Sequence, residues 1–83
     1  MDLVNLTEAI IKKLVSDPEN VSVKEFETDE ENTIQIEVLI SADDMGRVIG
    51  KNGKTINSIR TIVGAASSLS EDNKKVRINV DSY

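Results

Sequence analysis

Two glycines three residues apart stand in the run Val48-Ile49-Gly50-Lys51-Asn52-Gly53-Lys54-Thr55-Ile56, with basic residues between and just after them. The chemistry such a run can do is anion binding by bare backbone. Glycine has no Cβ, so it accepts positive φ in a tight turn and lets a ligand approach the main chain closely. A helix starting directly after Gly53 would aim its free N–H groups and the positive end of its dipole at that ligand. Lys51 and Lys54 add positive charge, and Asn52 adds hydrogen-bonding capacity without charge of the wrong sign. Phosphate is the anion that fits.

Two competing readings of the same residues fail on their flanks. Asn52-Gly53 is a strong hairpin signal, but a hairpin needs alternating apolar strands on both sides. Instead Met45, Val48 and Ile49 follow i, i+3, i+4 spacing, and Ile56, Ile59, Val63 and Ala66 follow i, i+3, i+7, i+10, which are helical periods. Gly53-Lys54-Thr55 also resembles the end of a nucleotide-binding G-x-x-x-x-G-K-[ST] loop. There the spacing is wrong: Gly50 is too close to Gly53, Gly46 is too far, and a helix rather than a strand leads in.

The elements that must position this loop can be read in order. Leu3, Leu6, Ile10, Ile11, Leu14 and Val15 lie on one face of a helix over about Leu3 to Ser16, stopped by Asp17-Pro18. Val21 to Glu27 reads as a strand with Val21 and Val23 on one face; Phe26 falls out of that phase and marks either a bulge or an edge. Asp29-Glu30-Glu31-Asn32 reads as a solvated turn rather than a cation site, since it lacks the alternating ligands, glycine and distal glutamate of a calcium loop. Thr33 to Ile40 is the clearest strand, with Ile34, Ile36, Val38 and Ile40 alternating, and it covers the helices from one side. Ser41, Asp43 and Asp44 are expected to cap a short helix that runs to about Ile49. After the glycine loop a longer helix covers about Lys54 to Leu69. On it Ile56, Ile59, Ile62, Val63, Ala66 and Leu69 form one arc of roughly 140°. Most of the arc is core, with Ile62 and Leu69 at an edge that could instead face a protein partner. Ser70-Glu71-Asp72-Asn73 is a polar loop, and Lys75 to Asp81 a last strand with Val76, Ile78 and Val80 on one face and Arg77 and Asn79 on the other, more solvated than ligand-facing.

Composition narrows the function classes. A chain of 83 residues is expected to form one domain over 1–83, burying roughly 60–70% of its unfolded surface. The sequence contains no cysteine and no histidine, which removes thiolate chemistry, the usual neutral-pH proton carrier and the commonest transition-metal ligands. Neither catalytic residues nor a metal site nor a cofactor is expected. No apolar run approaches the ~20 residues of a membrane span, and Asp2 and Glu8 stand where a signal peptide would carry bases, so a cytoplasmic protein is expected.

Net charge at first opposes a polyanionic ligand: fifteen acids against ten bases give −5. The distribution is uneven. Between Met45 and Ser70 the charged residues are Arg47, Lys51, Lys54 and Arg60 with no acid, so the segment is +4 and the remainder −9. Basic residues concentrated at one place are the electrostatic footprint of nucleic-acid binding, and the acidic remainder limits nonspecific affinity.

The order helix, strand, strand, helix, G-x-x-G, helix, strand resembles the prokaryotic type II KH domain. Asp44 to Ile56 is similar to the V-I-G-x-x-G-x-x-I core of that family. The chain length, Asp44-Met45-Gly46 before the core, Ile59-Arg60-Thr61-Ile62-Val63 after it and the alternating last strand resemble the small bacterial single-KH RNA-binding proteins of the KhpA type. The resemblance implies an α+β fold of order α-β-β-α-α-β, with a three-stranded mixed sheet packed against three helices. It also implies that single-stranded RNA is clamped by its backbone, about four nucleotides at a time. Carried over by position, Gly50, Lys51, Asn52 and Gly53 would hold the sugar-phosphate chain. Arg47, Lys54 and Arg60 would support them by charge, while Val48, Ile49 and Ile56 would form the apolar wall of the groove and the core beneath it. The resemblance further implies pairing, as a homodimer or as a heterodimer with a KhpB-type KH protein, and an RNA-chaperone role in cell-wall synthesis and cell shape. Many single-strand binders stack bases on aromatic rings at roughly 1–3 kcal/mol each, yet Phe26 and Tyr83 are the chain's only aromatics and neither is near the loop. Weak, backbone-driven binding with little base preference is therefore expected. The alternative is a KH-like protein-interaction module with little RNA affinity.

Overall fold

A computed structural model describes residues 2–71 and 73–83; Asp72, part of the expected polar loop, lies outside them. The first helix, α1, spans Leu3–Leu14. Its start is set by Asp2, whose carboxylate accepts the free N–H groups of Val4 at 2.9 Å and Asn5 at 3.3 Å, as an N-cap side chain does. Lys12 and Lys13 lie in its last turn, where the dipole favours positive charge. The helix ends two residues earlier than the expected Ser16. Val15 is already extended, because Ser16 and Asp17 are drawn away to the buried carboxylate of Asp44.

The three strands form one sheet in the order β1-β2-β3. Strand β1 (Ser22–Glu27) pairs antiparallel with β2 (Thr33–Ile40), and β2 pairs parallel with β3 (Lys75–Ser82). A parallel pair needs a long crossover, and here the crossover is the glycine-loop segment itself: α2 (Met45–Ile49) and α3 (Lys54–Ser68). This is the mixed sheet with three helices that was expected.

The alternation of β2 decides which face the helices cover. Ile34, Ile36, Val38 and Ile40 are buried, as are Val23 of β1, Ile78 of β3, Ile11 of α1, Val48 of α2 and Ile56, Ile59 and Val63 of α3. All of these but Ile34 make one core between the sheet and the helices. The opposite face of the sheet is left open. Phe26 belongs to that face: the ladder runs through it without interruption, pairing it with Gln35, so it is not a bulge. It sits on the edge strand and is half exposed. Arg77 and Asn79 share the open face and bond acids there, Arg77 to Glu30 at 2.6 Å and Asn79 to Glu37 at 3.0 Å.

The helical arc of α3 is narrower than its apolar residues suggest. Ile62 is 50% and Leu69 89% exposed, whereas Ser67, a polar residue, is buried with its hydroxyl donating to the Lys74 carbonyl. Thr7 of α1 is buried in the same way, its hydroxyl donating to the Leu3 carbonyl at 2.8 Å. Residues 29–32 form the expected turn, with Asn32 at φ 56°. Among the described residues no group of three or more acids gathers to hold a metal ion, and no helix is long and apolar enough to cross a membrane.

Candidate nucleic-acid interface

The glycine loop is a tight joint between two helices. Helix α2 closes with the Gly50 N–H donating to the Gly46 carbonyl at 2.9 Å, and the Gly53 N–H then donates to the Gly50 carbonyl at 3.2 Å. Three of the four loop residues have positive φ: Gly50 at 75°, Asn52 at 57° and Gly53 at 75°. Asparagine is one of the few side chains that visit the left-handed region routinely, so Asn52 suits a position that lysine would strain.

The two glycines are needed for different reasons. Gly50 adopts φ 75°, ψ 173°, a region essentially reserved for glycine. A Cβ there would lie 2.7 Å from Thr55 Cβ and 2.9 Å from the Thr55 nitrogen, and closer still to Thr55 Oγ1. The loop backbone is thus pressed onto the first turn of α3. Gly53 requires only its φ, since a Cβ would meet nothing nearer than Asn57 Nδ2 at 3.7 Å. Gly53 occupies the N-cap of α3 and no side chain caps that helix; the Gly53 N–H is taken by the Gly50 carbonyl and the Lys54 N–H by the Lys51 carbonyl, so what the helix start offers an anion is the positive end of its dipole.

Around this joint the candidate residues divide into three groups. Lys51, Asn52 and Lys54 are exposed on the loop and the first turn of α3. Val48 and Ile56 lie in the core, and Ile49 is half-buried, so of the three apolar residues Ile49 has the surface to offer. The arginines are tethered. Arg60 reaches from α3 to β3, its Nε and Nη2 donating to the Ile78 carbonyl at 3.3 and 3.1 Å and its Nη1 to Asn57 Oδ1 at 3.1 Å. Seven residues beyond Gly53, it stands about 10 Å along the helix axis. Arg47 donates through Nη1 to Asp44 Oδ1 at 3.0 Å.

The capping role expected of Ser41, Asp43 and Asp44 is corrected here. None of them caps α2 with its side chain. Ala42–Asp44 form a 3-10 turn ahead of the helix, which turns the Asp44 carboxylate back toward the end of α1. Asp44 is fully buried. It accepts the Ser16 N–H at 2.9 Å, the Ser16 hydroxyl at 2.7 Å and the Asp17 N–H at 3.2 Å, besides Arg47. The Ser16 N–H, foremost, holds its carboxyl below the ordinary 3.8; burial opposes, and the Ser16 hydroxyl, the Asp17 N–H and the Arg47 charge add to the lowering. Ser41 instead donates its hydroxyl to Asp17 Oδ2 at 3.3 Å. The one local signal was Arg47 three residues after Asp44, a spacing that brings helical side chains together; the partners at Ser16 and Asp17 are too far away in sequence to leave a pattern.

A family model described as KhpA/KhpB, KH domain, matches residues 4–80. The chain belongs to this family. It is 44% identical over 75 residues to the RNA-binding protein KhpA of Clostridium perfringens, covering 90% of this chain and 95% of that one. With the RNA-binding protein KhpA of Streptococcus pneumoniae serotype 4 it shares 42% identity over 82 residues, 98% of both chains. The Thermotoga maritima RNA-binding protein KhpA is 40% identical over 75 residues, 90% of this chain and 93% of its own. The α-β-β-α-α-β order around a mixed three-stranded sheet is the type II KH arrangement, and in this KH domain the glycine loop joins the second and third helices.

Proposed function

We propose that this chain binds single-stranded RNA by its sugar-phosphate backbone at Gly50, Lys51, Asn52 and Gly53. The observation that carries the proposal is the loop geometry: positive φ at Gly50, Asn52 and Gly53 leads directly into the uncapped start of α3. Lys51 and Lys54 flank it on the surface. Relatives that match over nearly the whole chain are named RNA-binding proteins, which supports the same reading. Phe26 lies on the open sheet face and Tyr83 just beyond β3, so base stacking at the loop has no aromatic platform and the clamp reads backbone rather than sequence. Pairing with a second KH domain, its own copy or a KhpB-type protein, would supply a second groove and raise affinity through effective concentration. The broader role as an RNA chaperone in cell-wall synthesis and cell shape is supported by the family resemblance alone.

A second reading, a protein-interaction module with little RNA affinity, is favoured by exposed Ile62 and Leu69 on α3. One titration separates the two. The variant Lys51→Asp with Asn52→Asp keeps both glycines, so it should fold, and it should lose binding to a short single-stranded RNA. Wild-type affinity in that variant would defeat the clamp. With about three phosphate contacts at ~0.7 each, log affinity should fall against log salt with a slope near −2.

A further inference from the structure

The buried carboxylate of Asp44 stands at the opposite end of α2 from the glycine loop and has no part in the clamp as described, yet it is the most heavily bonded side chain among the described residues. Four hydrogen bonds converge on it, three from the residues that follow α1 and one from Arg47. Helix α2 has five residues, too short to be stable by itself, so its start is held by this anchor. Arg47 lies on that helix three residues before Gly50 and is about half exposed, with a side-chain exposure of 55%. Its contacts with protein are made by Nη1, to Asp44 Oδ1 and, at 3.4 Å, to the Asp43 carbonyl. Among the described residues Nε and Nη2 have no protein partner, and these two nitrogens form one edge of the planar fork that suits a phosphate.

We propose that Asp44 is a positioning residue for RNA: it grips one nitrogen of Arg47 at the start of α2, about 9 Å along the helix from Gly50, so that the opposite edge of the guanidinium is presented to a phosphate neighbouring the one held at Gly50–Gly53. The assignment rests on the clamp reading of the loop. It makes a counterintuitive prediction, because Asp44 is itself negative. If the carboxylate merely offset the charge of Arg47, removing it would strengthen RNA binding. As a positioning group, its removal frees a long, flexible side chain that must be ordered again on binding, and affinity falls.

The test measures binding of a labelled oligouridylate across a range of salt concentrations. Arg47→Ala should weaken binding about tenfold, the value of one charge-assisted hydrogen bond, and reduce the salt slope by about 0.7. Asp44→Asn should give a comparable loss and a comparable reduction in slope although the protein becomes less negative. The double variant should bind no more weakly than Arg47→Ala, as two members of one unit do. Wild-type or tighter binding by a folded Asp44→Asn overturns the proposal. Arg47→Lys covers the case in which Asp44→Asn does not fold: an ammonium seated on Asp44 is a point charge with no second edge, so binding should weaken as with Arg47→Ala, and unchanged affinity overturns the proposal equally. The Lys51→Asp, Asn52→Asp variant runs alongside. If it binds like wild type, the clamp itself is wrong; if it loses binding while Arg47 and Asp44 variants do not, only the assignment of Asp44 is wrong.

Discussion

Gly50→Ala should damage the protein far more than Gly53→Ala, although the two glycines share φ 75°. At Gly53 the backbone is left-handed with ψ 12°, a conformation that costs an L-residue about 1–2 kcal/mol, and the nearest atoms at 3.7 and 4.0 Å are ordinary contacts. At Gly50 ψ is 173°, which costs about 1–3 kcal/mol for any side chain. The new methyl would also sit 2.7 Å from Thr55 Cβ and 2.9 Å from the Thr55 nitrogen; relieving such overlap costs about another 1–3 kcal/mol. Total stability for a domain is only about 5–15 kcal/mol, and each kcal/mol moves the melting temperature of one this size by about 4–8 °C. Thermal melts by circular dichroism should therefore show Gly53→Ala down by about 4–16 °C and Gly50→Ala down by about 8 °C or more and always the lower of the two. Thr55→Ala tests the cause, since it removes Oγ1, the nearest obstacle, while leaving Cβ and the nitrogen in place. Added to Gly50→Ala it should restore part of the loss, a coupling of about 0.5–3 kcal/mol in a double-mutant cycle. Equal melting of the two glycine variants, or no recovery with Thr55→Ala, would refute the steric account of the loop.

Asp44 predicts an acid limb in stability. Its carboxyl is held below 3.8 in the folded protein, so the stabilisation it contributes is fully present above that value and is lost as pH falls through the folded pKa. Urea midpoints of wild type and Asp44→Asn should therefore differ most at neutral pH and converge below about pH 4; a gap constant with pH would contradict the bonding described for Asp44. The sheet makes a contrast between its two faces. Ile36→Ala, at a fully buried position, should cost about 2–5 kcal/mol, while Phe26→Thr on the open edge strand should cost about 1 kcal/mol or less, and chemical denaturation of both variants would show a reversal if Phe26 were covered.

What could be read from the chain depended on how local the determining physics was. Strand β2 was legible to the residue, Thr33–Ile40, because strict alternation reports a half-covered strand without reference to any neighbour. The glycine loop was legible because positive φ is a demand on the residue itself, met by glycine twice and asparagine once. The end of α1 was misplaced because Ser16 and Asp17 answer to a carboxylate 28 and 27 residues away. Asp44 was misread for the same reason: an acid ahead of a helix looks like a cap until the 3-10 turn that redirects it is seen. The wheel of α3 put Ile62 and Leu69 at the edge of the arc and left open whether core or a partner would cover them, and the sheet beneath is only three strands wide. It covers Ile56, Ile59 and Val63 and leaves the edge of the arc to solvent.

The acidity of the chain is compatible with a phosphate site because of where its charges sit. Counting from Met45 left Asp44 just outside the basic segment, yet in space its carboxylate is paired with Arg47. Arg60 is bonded to a carbonyl and an amide, neither of which cancels its charge. Among the described residues the other ion pairs join Lys12 to Glu8 and Arg77 to Glu30, so Lys51, Lys54 and Arg60 keep unmatched charge around the loop. The acidic turn at 29–32 lies at the other end of α3: Ser67 bonds the Lys74 carbonyl and Asn32 bonds the Asn73 carbonyl, which fixes the end of that helix beside the turn. A helix of 15 residues is about 22 Å long, roughly two Debye lengths at ~0.1 M salt. A phosphate held at Gly50–Gly53 would therefore meet the unpaired charges of Lys51 and Lys54 and little of the charge of the 29–32 turn. With Arg47 these make the three contacts behind a salt slope near −2, and a slope near zero would refute phosphate clamping at the loop.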